Sequence, residues 1–502
     1  MAEKIQKSTH NWSKKIIFYK IIVKCIDFLF LVMYNCFINF IEMRFIMQGL
    51  KQKYGLLTAI AMVVGIVIGS GVFFKAEKVL SVTSGNLPLG ILAWIVGGLI
   101  VLVCAYTFSV MATRYVKVNG IVDYAETAVG GKYAYFMGWF MAFIYYPSLT
   151  SVLSWVSARY TGVLFGMDIF GPEVMVIAFV YMIVFYALNT LSPVIAGKFQ
   201  VSTTVIKLIP LLLVAVVGLI VGLSNGLTVE NFATAHIIPE GGYGVALFTA
   251  VAACAFAYDG WIIATSVNAE LKNPKKNLPI ALSLGMLAVI VIYILYYVGL
   301  AGGATNADMI ALGETGVKNA FSNIFGPIGG SVLSVVVVIS CLGTLNGLMV
   351  ATTRSIYSLS ARKQGPKPEV FAKLDEHTNM PTNSSVVGLL MAGLWLLFFY
   401  GSIIITIEGK NPLFGKFGFD SSELSIVSIY ALYIPIFFMM MKKEKDLNPV
   451  KRFVAPILSI LGCLFMVVSL VVSHGFTPTI AFLIIAGVIM LCSIPFYKKK
   501  SE

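Results

Sequence analysis

Val64-Gly65-Ile66-Val67-Ile68-Gly69-Ser70-Gly71 interrupts the first long apolar run of this chain. Ala255-Phe256-Ala257-Tyr258-Asp259-Gly260-Trp261 interrupts another, about five apolar runs later. Glycine and small polar residues allow a helix to unwind at such points, and unwound backbone at membrane depth persists only where protein or a wet cavity surrounds it. The two stretches therefore predict a pair of broken helices gathered around one polar site.

The surroundings fit a membrane setting. Hydrophobic residues make up 58% of the chain and charged residues 12%, against roughly 25% charged in soluble domains; mean hydropathy is +0.89. Apolar stretches long enough to cross a hydrocarbon core of roughly 30 Å lie near 55–80, 88–113, 134–160, 173–191, 201–223, 243–269, 279–303, 328–358, 385–405, 423–441, 453–473 and 477–497. The expected fold is all-α and polytopic, with about twelve membrane helices.

The broken stretches fall in the first and sixth spans, at corresponding places in two five-helix halves, 51–223 and 243–441, with spans eleven and twelve (453–497) appended. Paired interruptions of this kind mark inverted repeats with a binding site between them. The longest polar connection, Ala361 to Ser384, carries Pro366, Pro368 and Pro381 and reads as a loop; Ala304–Gly326 and Thr406–Ser422 read as loops on the opposite side.

A net charge of +13 suggests nucleic acid in a soluble protein, but here the basic residues crowd alternate connections between spans. Twenty-one lysines and arginines fall in connections on one side. Six fall on the other: Lys75, Lys78, Arg159, Lys318, Lys410 and Lys416. The richer side is expected to be cytoplasmic, with both termini there. The partner implied is the lipid bilayer, with no nucleic acid.

The cysteines (Cys25, Cys36, Cys104, Cys254, Cys341, Cys463, Cys492) show no CxxC pair, and the histidines (His10, His236, His377, His474) show no metal-ligand spacing. No disulfide framework, metal, cofactor or catalytic residue is expected, which sets an enzyme aside. Residues 1–46 mix apolar residues with Lys20, Lys24 and Asp27 and lack a signal-peptide cleavage site. They are expected to precede a working start near Met47, the alternative being an interfacial helix.

At Gly69-Ser70-Gly71, unwinding after Ile68 frees amide donors that suit a carboxylate and carbonyl acceptors that suit an ammonium; the alternative is a small-residue packing face. In the second stretch Phe256 can close over a ligand beside Ala257, while Tyr258 and Trp261 line the cavity next to Gly260. Asp259 is costly at mid-membrane unless paired or wet, and it either contacts a substrate ammonium or caps the second half-helix. Lys207 stands alone in an apolar span, either snorkelling to the interface or reaching carbonyls of the first break. Tyr145, with Tyr146 and Pro147, interrupts the third span, and Asn346 follows Gly343 in the eighth; both can supply polar groups or serve packing. Arg354 reads as an interfacial anchor.

Gly65 to Phe73, Phe256 to Trp261, the run Glu270-Leu271-Lys272-Asn273-Pro274 and Lys207-Leu208-Ile209-Pro210 together resemble the amino acid–polyamine–organocation superfamily, in particular its L-type amino acid transporter branch and bacterial serine/threonine exchangers. The resemblance implies broken helices one and six that bind a substrate's α-carboxylate and α-amine. It also implies Phe256 as an aromatic gate, Lys207 where sodium-coupled relatives bind Na⁺, and exchange by alternating access. Ala105 to Val110 departs from the family by lacking a carboxylate, and Asn119-Gly120 stands where Gly-Gly is usual. Thr161 to Pro172 lacks the cysteine that joins animal members to a glycoprotein, so no disulfide-linked heavy chain is expected. The expectation is a sodium-independent exchanger of neutral L-amino acids in a bacterial plasma membrane; proton-coupled uptake and a transporter-like amino acid sensor are the alternatives.

Overall fold

The computed structural model describes residues 55–115, 120–264, 271–404 and 413–498. The expectations for 1–46 and for a start near Met47 lie outside these residues, as do Asn119, Glu270 and Lys410.

Apolar runs become helices because lipid offers no partner to an exposed amide or carbonyl, and a helix satisfies its own. The first span is two half-helices, α1 (Leu56–Val67) and α2 (Gly71–Val82), bent by 58°. Next come α3 (Leu87–Arg114), the short α4 (Ile121–Ala128), α5 (Gly131–Phe165), α6 (Pro172–Leu191) and α7 (Pro193–Ser224). The sixth span is α8 (Gly242–Tyr258) followed by α9 (Trp261–Ala264). Beyond it lie α10 (Pro274–Leu300), α11 (Glu314–Ser360), α12 (Thr382–Ile403), α13 (Ser421–Lys443), α14 (Val450–His474) and α15 (Phe476–Phe496). Among the described residues, ten helices are long and apolar enough to cross a membrane, eleven with the bent first pair. Counting α8 with α9 brings the described spans to the expected twelve.

Helix starts follow local chemistry. Asn86 accepts the Leu89 amide at 3.0 Å to cap α3, and Asp420 accepts the amides of Ser422 and Glu423 to cap α13. Pro147 does not interrupt the third span as expected. A wide π turn at Met141–Tyr145 precedes it, and the Phe143 carbonyl, displaced because the proline ring cannot bond it, accepts the Trp395 indole N–H at 2.9 Å.

One stretch expected as a connection is largely helical. Within 304–326, Asn306–Leu312 is a helix and α11 starts at Glu314; Gly326, at φ 81°, with Pro327 then kinks α11 where its membrane span begins. Lys75 and Lys78 belong to α2 rather than to a connection, and Arg159 belongs to α5. Ion pairing allows it: Lys75 meets Glu423 and Arg159 meets Glu314. Arg159 is also sandwiched by the Trp155 and Phe170 rings at 4.5 and 4.7 Å.

α3 and α10 pack together and hold α1 and α8, while α5 and α11 form a second pair against which α7 and α12 lie. Trp94 of α3 meets Tyr258 and Tyr293 edge-on in the first group. Large apolar side chains are exposed at helical spacing on the outer helices, for example Val176, Val180 and Ile183 on α6 and Leu390, Leu394 and Leu397 on α12. In a chain of this hydropathy such faces meet lipid. At the basic-rich ends, Arg114 pairs with Glu444 and Asp446, and Arg362 with Asp123 and Glu126.

Candidate functional site

The first helix stops because Ile68 turns extended, with ψ at 101°, and it restarts at Gly71. The sixth stops because Asp259 is extended, with ψ at 159°, and Gly260 takes φ 96°, a conformation that favours glycine. The breaks are in contact. A β-carbon on Gly71 would stand 2.7 Å from Ala257 Cα and 3.1 Å from Phe256 Cδ1, and one on Gly260 would stand 3.5 Å from the Ile66 carbonyl oxygen. The Phe256 ring thus covers the first break, and the Phe74 ring meets it edge-on at 5.1 Å.

Each break exposes backbone groups that a continuous helix would use. At the start of α2 the amides of Gly71 and Val72 have no intrahelical carbonyl to bond. The Ser70 amide donates to Thr344 Oγ1 at 3.2 Å, and the Ser70 hydroxyl is fully buried beside Cys341. At the end of α1 the Gly65 carbonyl accepts the Lys207 ammonium at 2.8 Å. Lys207 is therefore buried against the break rather than extended toward an interface. The Tyr293 hydroxyl donates to the Ala257 carbonyl at 2.9 Å and lies 3.4 Å from that of Val67, so one side chain bridges both breaks. Asp259 accepts the Tyr145 hydroxyl at 2.5 Å from the last residue of the π turn.

Ile68, Gly69, Ser70, Gly71, Phe256, Ala257, Asp259, Gly260, Tyr145 and Lys207 are thus gathered by the fold around the paired breaks. Three other expected lining residues are engaged elsewhere. The Tyr258 hydroxyl donates to the Trp94 carbonyl at 2.9 Å. Trp261 is buried between the Phe108 and Tyr433 rings. Asn346 donates to the Ala196 carbonyl and to Gln200 Oε1 and accepts from Asn189, tying α6, α7 and α11 together. A polar side chain in an apolar span must find a partner, and here the nearest lay between scaffold helices. Arg354 lies against the Met380 sulfur at 3.3 Å.

Tyr293 and Thr344 escape a reading by breaks alone. Their signal is present: Tyr293, Tyr296 and Tyr297 share one face of an otherwise apolar helix, and Thr344 stands beside Gly343. A surface pocket between Glu126, Tyr135, Arg362 and Tyr497 shares no residue with the breaks.

Two interrupted helices presenting amides and carbonyls to a common point can hold a molecule that carries both charges. Residues 54–494 match the family description "amino acid permease". The chain belongs to the amino acid permease family. Among curated relatives, the permease is 30% identical over 445 residues to the serine/threonine exchanger SteT of Bacillus subtilis (strain 168), covering 87% of this chain and 95% of that one. It is 27% identical to the mouse b(0,+)-type amino acid transporter 1, covering 85% and 84%, and 25% identical to the Bacillus subtilis glutamate/serine transporter AimA, covering 71% and 67%. These are transporters, not enzymes, and the permease is a multi-pass membrane protein of the same superfamily.

The position of Asn346 yields a prediction. Asn346→Leu should lower the melting temperature of the purified permease, since it strands the amide groups of Asn189 and Gln200 at roughly 1–3 kcal/mol. The KM for substrate should stay within about twofold, because ΔΔG values of sites without shared partners are nearly independent. A KM shift with unchanged melting would return Asn346 to the substrate site.

Proposed function

We infer that this permease is a sodium-independent exchanger of neutral L-amino acids such as serine and threonine, working by alternating access between two inverted repeats, 51–223 and 243–441. The amides at Gly69–Gly71 receive the substrate carboxylate, the carbonyls ending α1 and α8 receive its ammonium, and Phe256 closes over it. The reading is carried by Lys207: its ammonium on the Gly65 carbonyl offers the charge a bound sodium ion would supply, so the cycle needs no such ion. The 30% identity to a serine/threonine exchanger supports the substrate class. We place it in a bacterial plasma membrane, with both termini cytoplasmic by the excess of basic residues on one side, working without a disulfide-linked heavy chain.

Reconstituted vesicles test this. Labelled serine should enter vesicles preloaded with serine or threonine at least about tenfold faster than empty ones, with no change when sodium is replaced by choline; a tenfold difference corresponds to about 1.4 kcal/mol. Entry into empty vesicles driven by a pH gradient would replace exchange with proton-coupled uptake. Saturable binding with no entry under either condition would favour a sensor.

A further inference from the structure

The last turns of α15 and the two residues after them are held by distant parts of the chain. The final carbonyls of a helix lack intrahelical partners, and α5 supplies donors for two of them. The Trp139 indole N–H donates to the Ile489 carbonyl at 3.0 Å, and the Tyr135 hydroxyl donates to the Ser493 carbonyl at 2.8 Å. Just beyond, the Gln364 side chain donates to the Lys498 carbonyl at 2.6 Å and accepts the Lys498 amide at 2.9 Å, while the Gly365 amide donates to the Phe496 carbonyl at 3.3 Å. Trp139 stacks on Phe496, and Tyr497 stands 5.3 Å from the Tyr135 ring and 6.4 Å from that of Phe136.

Gln364 and Gly365 belong to the turn that ends α11. There the Lys363 amide bonds the Ser360 carbonyl and the Gln364 amide bonds the Leu359 carbonyl, the pattern of a Schellman turn, whose left-handed residue is usually glycine. Here that residue is Lys363, at φ 59°, a conformation uncommon where a β-carbon is present. The turn therefore needs support from outside its own residues. One residue earlier, Arg362 pairs with Asp123 and Glu126 of α4, and α4 lies in the chain between α3 of one helix group and α5 of the other. The surface pocket described above lies among α4, Tyr135, Gln364 and Tyr497.

We propose that residues 494–498 are a strap. Seated on Tyr135, Trp139 and Gln364, they hold the Lys363 turn in its left-handed form and so position Arg362 to clamp α4 against the scaffold. The strap thereby limits how far the basic-rich end of α3 can part from α5. This goes beyond the exchanger reading and does not depend on it.

Ala125, fully buried in α4, serves as reporter. Permease carrying Ala125→Cys and lacking the native cysteines is purified in detergent and treated with a maleimide. Gln364→Met, which removes both bonds to Lys498, and Tyr497→Ala should each raise the labelling rate about tenfold, the size expected for two hydrogen bonds or a pair of ring contacts. Tyr497→Phe keeps the rings and should label like the parent. Adding Lys363→Gly to Gln364→Met should bring labelling back to within about twofold of the parent, because glycine takes the left-handed form unaided; loss of packing alone would not be rescued in this way. Gln364→Met and Tyr497→Ala variants that label like the parent, or a Lys363→Gly addition that leaves labelling as fast as Gln364→Met alone, overturn the strap. Should the cysteine-free protein fail to insert, deuterium exchange at the α4 amides of protein with its native cysteines gives the same comparison, with the same order expected.

Discussion

Gly71→Ala should reduce amino acid exchange about a hundredfold while leaving membrane insertion intact. The added methyl would sit 2.7 Å from Ala257 Cα and 3.2 Å from its amide nitrogen. Both are backbone atoms and cannot rotate aside. Overpacking of this kind costs about 1–3 kcal/mol, and a displacement of about 1 Å at a substrate-positioning site is enough to lose about 10²-fold in rate. Gly487→Ala is the control, since a β-carbon there meets nothing within 4 Å. Exchange by reconstituted protein, normalised to monodisperse protein recovered, decides the matter. A Gly71→Ala permease exchanging at the parent rate would show that the two breaks need not touch during the cycle.

Lys207→Ala should have the second largest effect, a loss of about ten- to a hundredfold in exchange rate. Removing the ammonium leaves the Gly65 carbonyl without its donor, at a cost of about 1–3 kcal/mol. The positive charge held at the end of α1 is lost as well. This bond joins α1 to α7 across 142 residues of sequence, so its loss falls on the break in α1 itself. Rate should therefore change more than melting temperature. A normal exchange rate at saturating amino acid on both sides would reduce Lys207 to a packing residue.

Much of the site was legible before any coordinates. Glycines within an apolar run marked both breaks, because a residue without a β-carbon is unfavourable in a helix interior and tolerable where the helix ends. Lys207 and Asp259 stood out because charge inside a membrane span is costly and calls for a partner. Asn346 looked equally promising by that reasoning, yet its partners lie on scaffold helices. A lone polar residue announces that a partner exists without saying where. The same limit explains Lys75, which sequence position placed in a connection. Its carboxylate partner is 348 residues away, and no local pattern joins the two.

What the sequence determined by itself was everything set by neighbours along the chain: that it spans a membrane many times, which spans break, and that the breaks free backbone amides and carbonyls. Hydrophobicity and the absence of a β-carbon act within a few residues, so they can be read directly. Only the tertiary structure decided which groups meet the freed backbone: Tyr293 on Ala257, Thr344 on Ser70, Lys207 on Gly65, and Lys75 between Phe256 and Glu423. Those partners are chosen by how helices distant in sequence pack, and the side chain nearest a freed carbonyl depends on the rotation and crossing of every helix around it.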